Sequence, residues 1–249
     1  MVRSDAMQVA LLADVHANLD ALEAVLKHAA RHGTTETWHV GDLVGYGPDP
    51  DAVVERLASI GADCVMGNHD AAAAGLLGTD DFNRLASEAA AWTAEIITPA
   101  TREYLRALPL VTRDGMVTRA HGSLREPLWE YLTTIPAAKA QFAAQQTRLS
   151  IVGHTHTPLV IHEEDDGEIS AEVPGEADIV FVRDGRHCIN PGGVGQPRDG
   201  DPRASYAVLN LATGTASFYR VAYDIGAVQS RMRAAGLPEP LIDRLARGR

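Results

Sequence analysis

Nine residues able to bind metals or move protons fall in five short segments, each placed where an apolar run ends. Asp14 and His16 follow the first run, Asp42 the second, and Asn68, His69 and Asp70 the third. His121 follows a fourth run, and His154 and His156 follow a fifth. Taken singly, each segment reads as a turn or a helix cap: Gly-Asp is a common turn pair, and Asn tolerates left-handed backbone. Their occurrence together in one chain is what points to chemistry. Asp14, Asp42, Asn68, His16, His121, His154 and His156 offer a mixture of oxygen and imidazole donors suited to Mn, Fe, Zn or Ni. No cysteine joins them, which argues against a structural zinc site. Seven donors exceed what one ion takes, whereas two divalent ions about 3.5–4 Å apart that share a carboxylate use them well.

The elements that must position these residues are legible from periodicity. Gln8 to Ala13 reads as a buried strand, and Leu19, Leu22, Val25, Leu26 and Ala29 recur at helical spacing. Thr37 to Val40 predicts a second strand, Pro50 to about Ile60 a second helix, and Ala62 to Met66 a third strand. Such alternation implies parallel βαβ units, whose ligands gather beyond the carboxyl ends of the strands. The three early segments should therefore converge. Residues 71–107 are alanine-rich, with Leu76, Phe82 and Trp92 among their apolar positions, and read as a cap-like helical insertion over the cleft, where the aromatics pack as core or wall. Beyond Pro109 strands dominate, with hairpin signals at Asp114–Gly115, Asp166–Gly167, Asp184–Gly185 and Thr213–Gly214. Helices are expected around Pro136 to Gln146 and from Ile225 onward. With no internal repeat and no linker, residues 1–249 read as one domain.

Composition narrows the function classes. The formal net charge of −11 disfavours a nucleic-acid polymer or an anionic membrane as partner, since both would be repelled. An anionic substrate then needs a local positive feature, which bound metal ions supply. The early apolar run is far shorter than the roughly 18 residues of a membrane span. Cys64 and Cys188 sit in strand-like runs without a disulfide pattern, and a cytoplasmic location is expected.

The five segments, in order, resemble the motifs of the calcineurin-like metallophosphoesterases, and the resemblance covers residues 8–210. It implies two mixed β-sheets packed face to face and flanked by helices in four layers. It also implies one metal held by Asp14, His16, Asp42 and His156, and a second held by Asp42, Asn68, His121 and His154. His69 resembles the family histidine that contacts phosphate and protonates the leaving group, with Asp70 orienting its imidazole. Asn68, His69 and Arg198 would contact substrate. The chain departs from the family at Ala17, where Gly is usual, and at Gly193, where a serine is usual. Arg198 lies in a segment, 194–200, similar to that of bacterial small phosphodiesterase-like members; it reaches a substrate phosphate or pairs with Asp199 or Asp201. His28, His32, His162 and His187 are not placed to join the cluster, and His39 is expected to pack behind it.

The chemistry implied is hydrolysis of a phosphate ester. A water shared by two divalent ions has its pKa lowered from 15.7 toward about 7, so a hydroxide attacks phosphorus at neutral pH without a phosphoenzyme. Because the insertion can roof the cleft, small phosphodiesters or dinucleoside polyphosphates are the expected substrates, with two ions, Mn favoured, as cofactors. A phosphomonoesterase or protein phosphatase needs the same ions with a more open cleft. A non-catalytic scaffold would not need to retain His69 and every donor. Oligomeric state is not legible.

Overall fold

Strand β1 (Gln8–Leu12) is apolar and buried from Val9 onward because both its faces are covered. Val9 and Leu11 point into a core between two sheets, while Ala10 and Leu12 point the other way, into a core shared with helices. The computed structural model describes residues 7–182 and 184–249. After β1 the order is α1 (Leu19–Arg31), β2 (Glu36–Val40), α2 (Pro50–Ser59), β3 (Asp63–Val65), α3 (Asn68–Ala73), α4 (Arg84–Ile96) and α5 (Pro99–Ala107). There follow β4 (Val111–Asp114), β5 (Val117–Ala120), α6 (Ile135–Ala144), β6 (Leu149–Ile151), β7 (Pro158–Glu163), β8 (Ile169–Glu172) and β9 (Ile179–Phe181). The chain ends with β10 (Arg186–Pro191), β11 (Ala204–Asn210), β12 (Thr215–Val221), α7 (Ile225–Ala234) and α8 (Glu239–Leu245).

Two mixed six-stranded sheets result, in the orders β3-β2-β1-β11-β12-β9 and β4-β5-β6-β10-β7-β8. β1, β2 and β3 are parallel, and so are β5, β6 and β10, so each sheet sends several carboxyl ends the same way. The inter-sheet core interdigitates Val9, Leu11, Trp38 and Val40 with Val117, Ile151, Val160 and Ile189. Truncating a fully buried leucine here, such as Leu11, should cost about 2–5 kcal/mol. α1, α2 and α5 cover one outer face and α6 the other, which gives the expected four layers.

Local signals explain the helices. Asn18 Oδ1 caps α1 through the N–H of Ala21 at 3.1 Å, and Leu22, Val25 and Ala29 bury its apolar stripe. Pro50 opens α2, and Asn83 and Thr98 cap α4 and α5. The helical insertion is present, yet it begins at Asn68, inside the third chemical segment, so Asn68, His69 and Asp70 form the first turn of α3. Its apolar residues divide differently from the expected roof. Phe82 lines the cleft, Trp92 packs with Val228, Met232 and Leu241 of α7 and α8, and Leu76 is 56% exposed.

Three of the four expected hairpins form, β4–β5, β7–β8 and β11–β12. Asp184–Gly185 does not make one: it joins β9 to β10, which belong to different sheets, so the turn changes layer instead of pairing its flanking strands. Arg183, beside it, lies outside the described residues. No helix among the described residues is long and apolar enough to cross a membrane.

Candidate active site

All seven expected donors and His69 converge and are at most 4% exposed, at the edge where the parallel strands of both sheets end. Five of them, Asp14, His16, Asp42, His154 and His156, hold left-handed backbone with φ between +47° and +67°. Such conformations cost non-glycine residues roughly 1–2 kcal/mol each and persist where the surroundings enforce them. The enforcement is visible: the N–H groups of Asp14, His16 and Ala17 donate to the carbonyls of Gly41, Asp42 and Leu43, at 3.1, 3.0 and 2.8 Å. Ala17 itself sits at φ +52°, a position where the glycine usual at this point of the motif would be unstrained. Gly67 allows a close approach, since a Cβ there would lie 2.1 Å from Asp42 Oδ1.

Each imidazole is anchored on its outer nitrogen by a backbone carbonyl. His16 Nδ1 faces Val44 O at 3.0 Å, His121 Nδ1 faces Val40 O at 2.9 Å, and His156 Nδ1 faces Gln196 O at 2.5 Å. His154 uses Nε2, which faces Trp129 O at 3.2 Å. A carbonyl only accepts, so the outer nitrogen carries the proton, and in a neutral ring the inner nitrogen is a bare lone pair. Burial holds His16, His154 and His156 neutral, pushing His154 down to about 3 and the other two well below the usual histidine range. The lone pairs of His16 and His156 therefore face each other at 3.2 Å, with Asp14 Oδ1 3.5 Å from His156 Nε2. Acceptors packed this way repel unless a cation lies among them. The donors thus fit a metal ion.

The second group differs in one respect. His121 Nε2 is 3.3 Å from Asp42 Oδ2, 3.2 Å from Asn68 Oδ1 and 3.0 Å from His154 Nδ1. Burial disfavours its charge, but the Asp42 carboxylate outweighs burial and raises it to about 9, so His121 is an imidazolium in the metal-free protein. Asp42 Oδ2 is also 3.5 Å from His16 Nε2 and so stands between the two groups. Asp14 is raised to about 7, chiefly by burial, with the His121 charge opposing and the Asp42 charge adding.

Asp14, His16 and His156 lie close enough to share one ion, as do Asp42, His121 and His154. His16, Asp42 and His69 form a third such grouping, which draws His69 nearer to the donor set than the sequence reading expected. Burial lowers His69 to about 4, and its Nδ1 is buried without a hydrogen-bond partner. The expected contact from Asp70 is not made. The Asp70 carboxylate accepts the N–H groups of Gly67 and Asp42, both at 2.9 Å, and of Val44 at 3.1 Å, and so positions the Asp42 loop, not the imidazole.

Arg198 lines the cavity and has no carboxylate partner among the described residues. Asp199 pairs with Arg220 and Asp201 with Arg203, so neither competes for it. His39 packs behind the cluster, accepting the Gly41 N–H at 3.2 Å, and burial lowers it to about 3. His28 bonds Tyr206, His32 stacks on Tyr219, and His162 pairs with His187, all away from the site. Gly193 packs on His156, where a Cβ would come within 3.1 Å of the His156 Cβ, so the absent serine leaves room that the ring uses.

The cavity over the cluster holds about 120 Å³ and is walled by Tyr46, Phe82, Trp129 and Tyr131. Phe82 meets Trp129 edge-on at 4.9 Å, and Tyr131 stacks on His154 at 4.0 Å. Wider hollows of about 460 and 570 Å³ lie elsewhere and carry no converging histidines in their linings. Tyr46, Trp129 and Tyr131 were missed from sequence. The aromatic pair Trp129 and Tyr131, soon after His121–Gly122, was the available signal.

Comparisons with known proteins agree with this geometry. A family model described as a calcineurin-like phosphoesterase superfamily domain matches residues 7–214. An uncharacterized protein of Methanocaldococcus jannaschii is 34% identical over 254 residues, covering 100% of both chains. A symmetrical bis(5'-nucleosyl)-tetraphosphatase of Pectobacterium atrosepticum is 31% identical over 142 residues, which is 53% of this chain and 49% of that one. The crystal structure of a metallophosphoesterase from Sphaerobacter thermophilus superposes with a TM-score of 0.89 at 46% identity, covering 98% of this chain and 100% of the other.

Proposed function

This chain belongs to the calcineurin-like phosphoesterase superfamily and is a hydrolase of phosphoester bonds, and from that premise we propose that it holds two divalent ions and cleaves small phosphodiesters or dinucleoside polyphosphates. The observation that carries this reading is the placement of Asp42 Oδ2, 3.5 Å from His16 Nε2 and 3.3 Å from His121 Nε2, between two groups of inward-facing donors. Asp14, His16, Asp42 and His156 would hold one ion and Asp42, Asn68, His121 and His154 the other. When bound, the ions supply Lewis-acid polarisation of the phosphoryl group and an acidified water. Manganese suits the donor set, because magnesium prefers oxygen ligands and retains its waters.

The chain's own residues do the rest. The backbone carbonyls behind the four imidazoles fix their tautomers, so no donor must reorganise when a substrate arrives. His69 lines the cavity and is assigned to the phosphoryl group and the leaving oxygen. An anionic phosphate beside it favours the protonated ring and so opposes the lowering by burial. Arg198 supplies a guanidinium to a substrate phosphate. Tyr46, Phe82, Trp129 and Tyr131 exclude water, and so small a cavity supports a small ester over a phosphoprotein.

The test is a substrate panel on protein depleted of metal and then reconstituted with Mn. Diadenosine polyphosphates, bis-nitrophenyl phosphate, a simple monoester and a phosphopeptide are compared by kcat/KM, with metal content read by elemental analysis. Preference for the first two is expected. A clear preference for the phosphopeptide would turn the reading to a protein phosphatase, and full activity in metal-free protein would end the two-ion reading.

A further inference from the structure

Two guanidinium groups stand against the ring of Tyr46. Arg198 Cζ lies 5.8 Å from its centroid and Arg244 Cζ 5.9 Å. The same ring is 4.7 Å from that of His16 and 4.4 Å from that of His69, so one aromatic side chain touches both the arginines and the donor cluster. Arg198 comes from the loop after β10, whereas Arg244 comes from α8, far along the chain.

Acidic residues outnumber basic ones, 33 to 22, and although Arg102 and Arg106 donate to backbone carbonyls, several arginines take carboxylates: Arg119 takes Asp63, Arg203 takes Asp201, Arg220 takes Asp199 and Arg231 takes Asp49. Among the described residues neither Arg198 nor Arg244 does. Arg198 Nη2 donates to Gln196 Oε1 at 3.0 Å, and its Nε is buried without a partner. Arg244 Nε donates to the backbone oxygen of Arg249. Burial and then the charge of Arg198 lower Arg244 to about 10, the sign of two cations held near each other. The neighbouring acids do not relieve this: Asp243 faces Arg233 and Arg247. Asp81 stands in the cavity lining without reaching either guanidinium as an ion pair.

We propose that Arg198 and Arg244 form a binding site for a second phosphoryl group, beside the one attacked at the histidine cluster, so that the substrate class is a polyphosphate chain rather than an isolated diester. Guanidinium forks match phosphoryl oxygens, and a paired set favours an anion carrying more than one charge. Space leads to the same place. A cavity of about 120 Å³ has room for about four waters at ~30 Å³ each, enough for one phosphoryl group. The remainder of the chain must leave over the rim past Tyr46, whose ring both Arg198 and Arg244 face.

The inference rests on the phosphoesterase reading above, and its test separates the two. Binding of inorganic tripolyphosphate and of inorganic phosphate to the manganese-loaded chain is measured by calorimetry for the wild type, Arg244→Ala and Arg244→Lys. Arg244→Ala should lower the ratio of tripolyphosphate to phosphate affinity about tenfold or more, and Arg244→Lys should restore part of it. The ratio of kcat/KM for diadenosine tetraphosphate over bis-nitrophenyl phosphate should fall in parallel. An unchanged affinity ratio overturns the proposal, as does equal loss for both anions, which marks Arg244 as structural. Should Arg244→Ala not fold, Arg244→Gln carries the same comparison. Absence of turnover by the wild type would strike the phosphoesterase reading alone, because the binding ratio still reports on Arg244.

Discussion

Asp42 and Asp70 clasp each other's segments: the Asp70 carboxylate accepts the Asp42 N–H at 2.9 Å, while the Asp42 carboxylate accepts the N–H of His69 at 2.9 Å. The loop after β2 is thereby closed onto the first turn of α3. The clasp occupies Oδ1 of Asp42 and leaves Oδ2 to face His16 and His121. Asp70 therefore aims Asp42, although it never reaches the cavity.

Asp70→Asn should destabilise the protein by about 3 kcal/mol or more, because an amide has one acceptor fewer for three buried N–H donors. Metal occupancy should fall with it. Urea melts and elemental analysis check both. A variant with wild-type stability and metal content that loses only turnover would instead place Asp70 on the His69 imidazole.

Asp42→Asn should lower metal stoichiometry more than Asp14→Asn. Asp42 faces both donor groups, whereas Asp14 belongs to one, and losing the shared charge leaves two cations less screened. Two metals per chain at unchanged affinity in Asp42→Asn would show that Asp42 is not shared.

His69→Ala should keep both metals and lose turnover by about 10²–10⁴-fold, the usual contribution of a general acid. The loss should be greater for alkyl leaving groups than for nitrophenol, which departs without a proton. Because His69 also lies near His16 and Asp42, the metal count decides between roles. Loss of one ion would make His69 a ligand.

Metal affinity should rise with pH. His121, raised to about 9, holds a proton that a metal must displace, so affinity should grow about tenfold per pH unit between pH 7 and 9 and then level off. Below about 7 Asp14 is protonated as well, and the slope should approach two protons per ion pair bound. Calorimetry in buffers of different ionisation enthalpy reads the proton count directly. Affinity independent of pH across this range would contradict the assignment of His121.

Much of this was legible in the residues themselves. β1 had to be buried on both faces because it carries no polar position after Gln8, and three consecutive parallel strands had to bring Asp14, Asp42 and Asn68 to one edge. The donor types, oxygen and imidazole without thiolate, pointed to a divalent-metal site before any contact was known.

Other features depended on partners remote in sequence. Asp70 follows His69 directly, yet neighbours in a helix point away from each other, and the folded backbone offered Asp70 three N–H groups instead. Arg198 precedes Asp199 and lies near Asp201, but Arg220 from β12 and Arg203 hold those carboxylates, which frees Arg198 for the cavity. Trp129 and Tyr131 reach the cavity from a loop, and Arg244 reaches the Tyr46 ring from a helix, and neither sequence shows a chemical motif. Sequence spacing specifies direction along one strand or helix. Which side chains meet where two sheets and a distant helix come together is set by packing, and only the tertiary structure decided it.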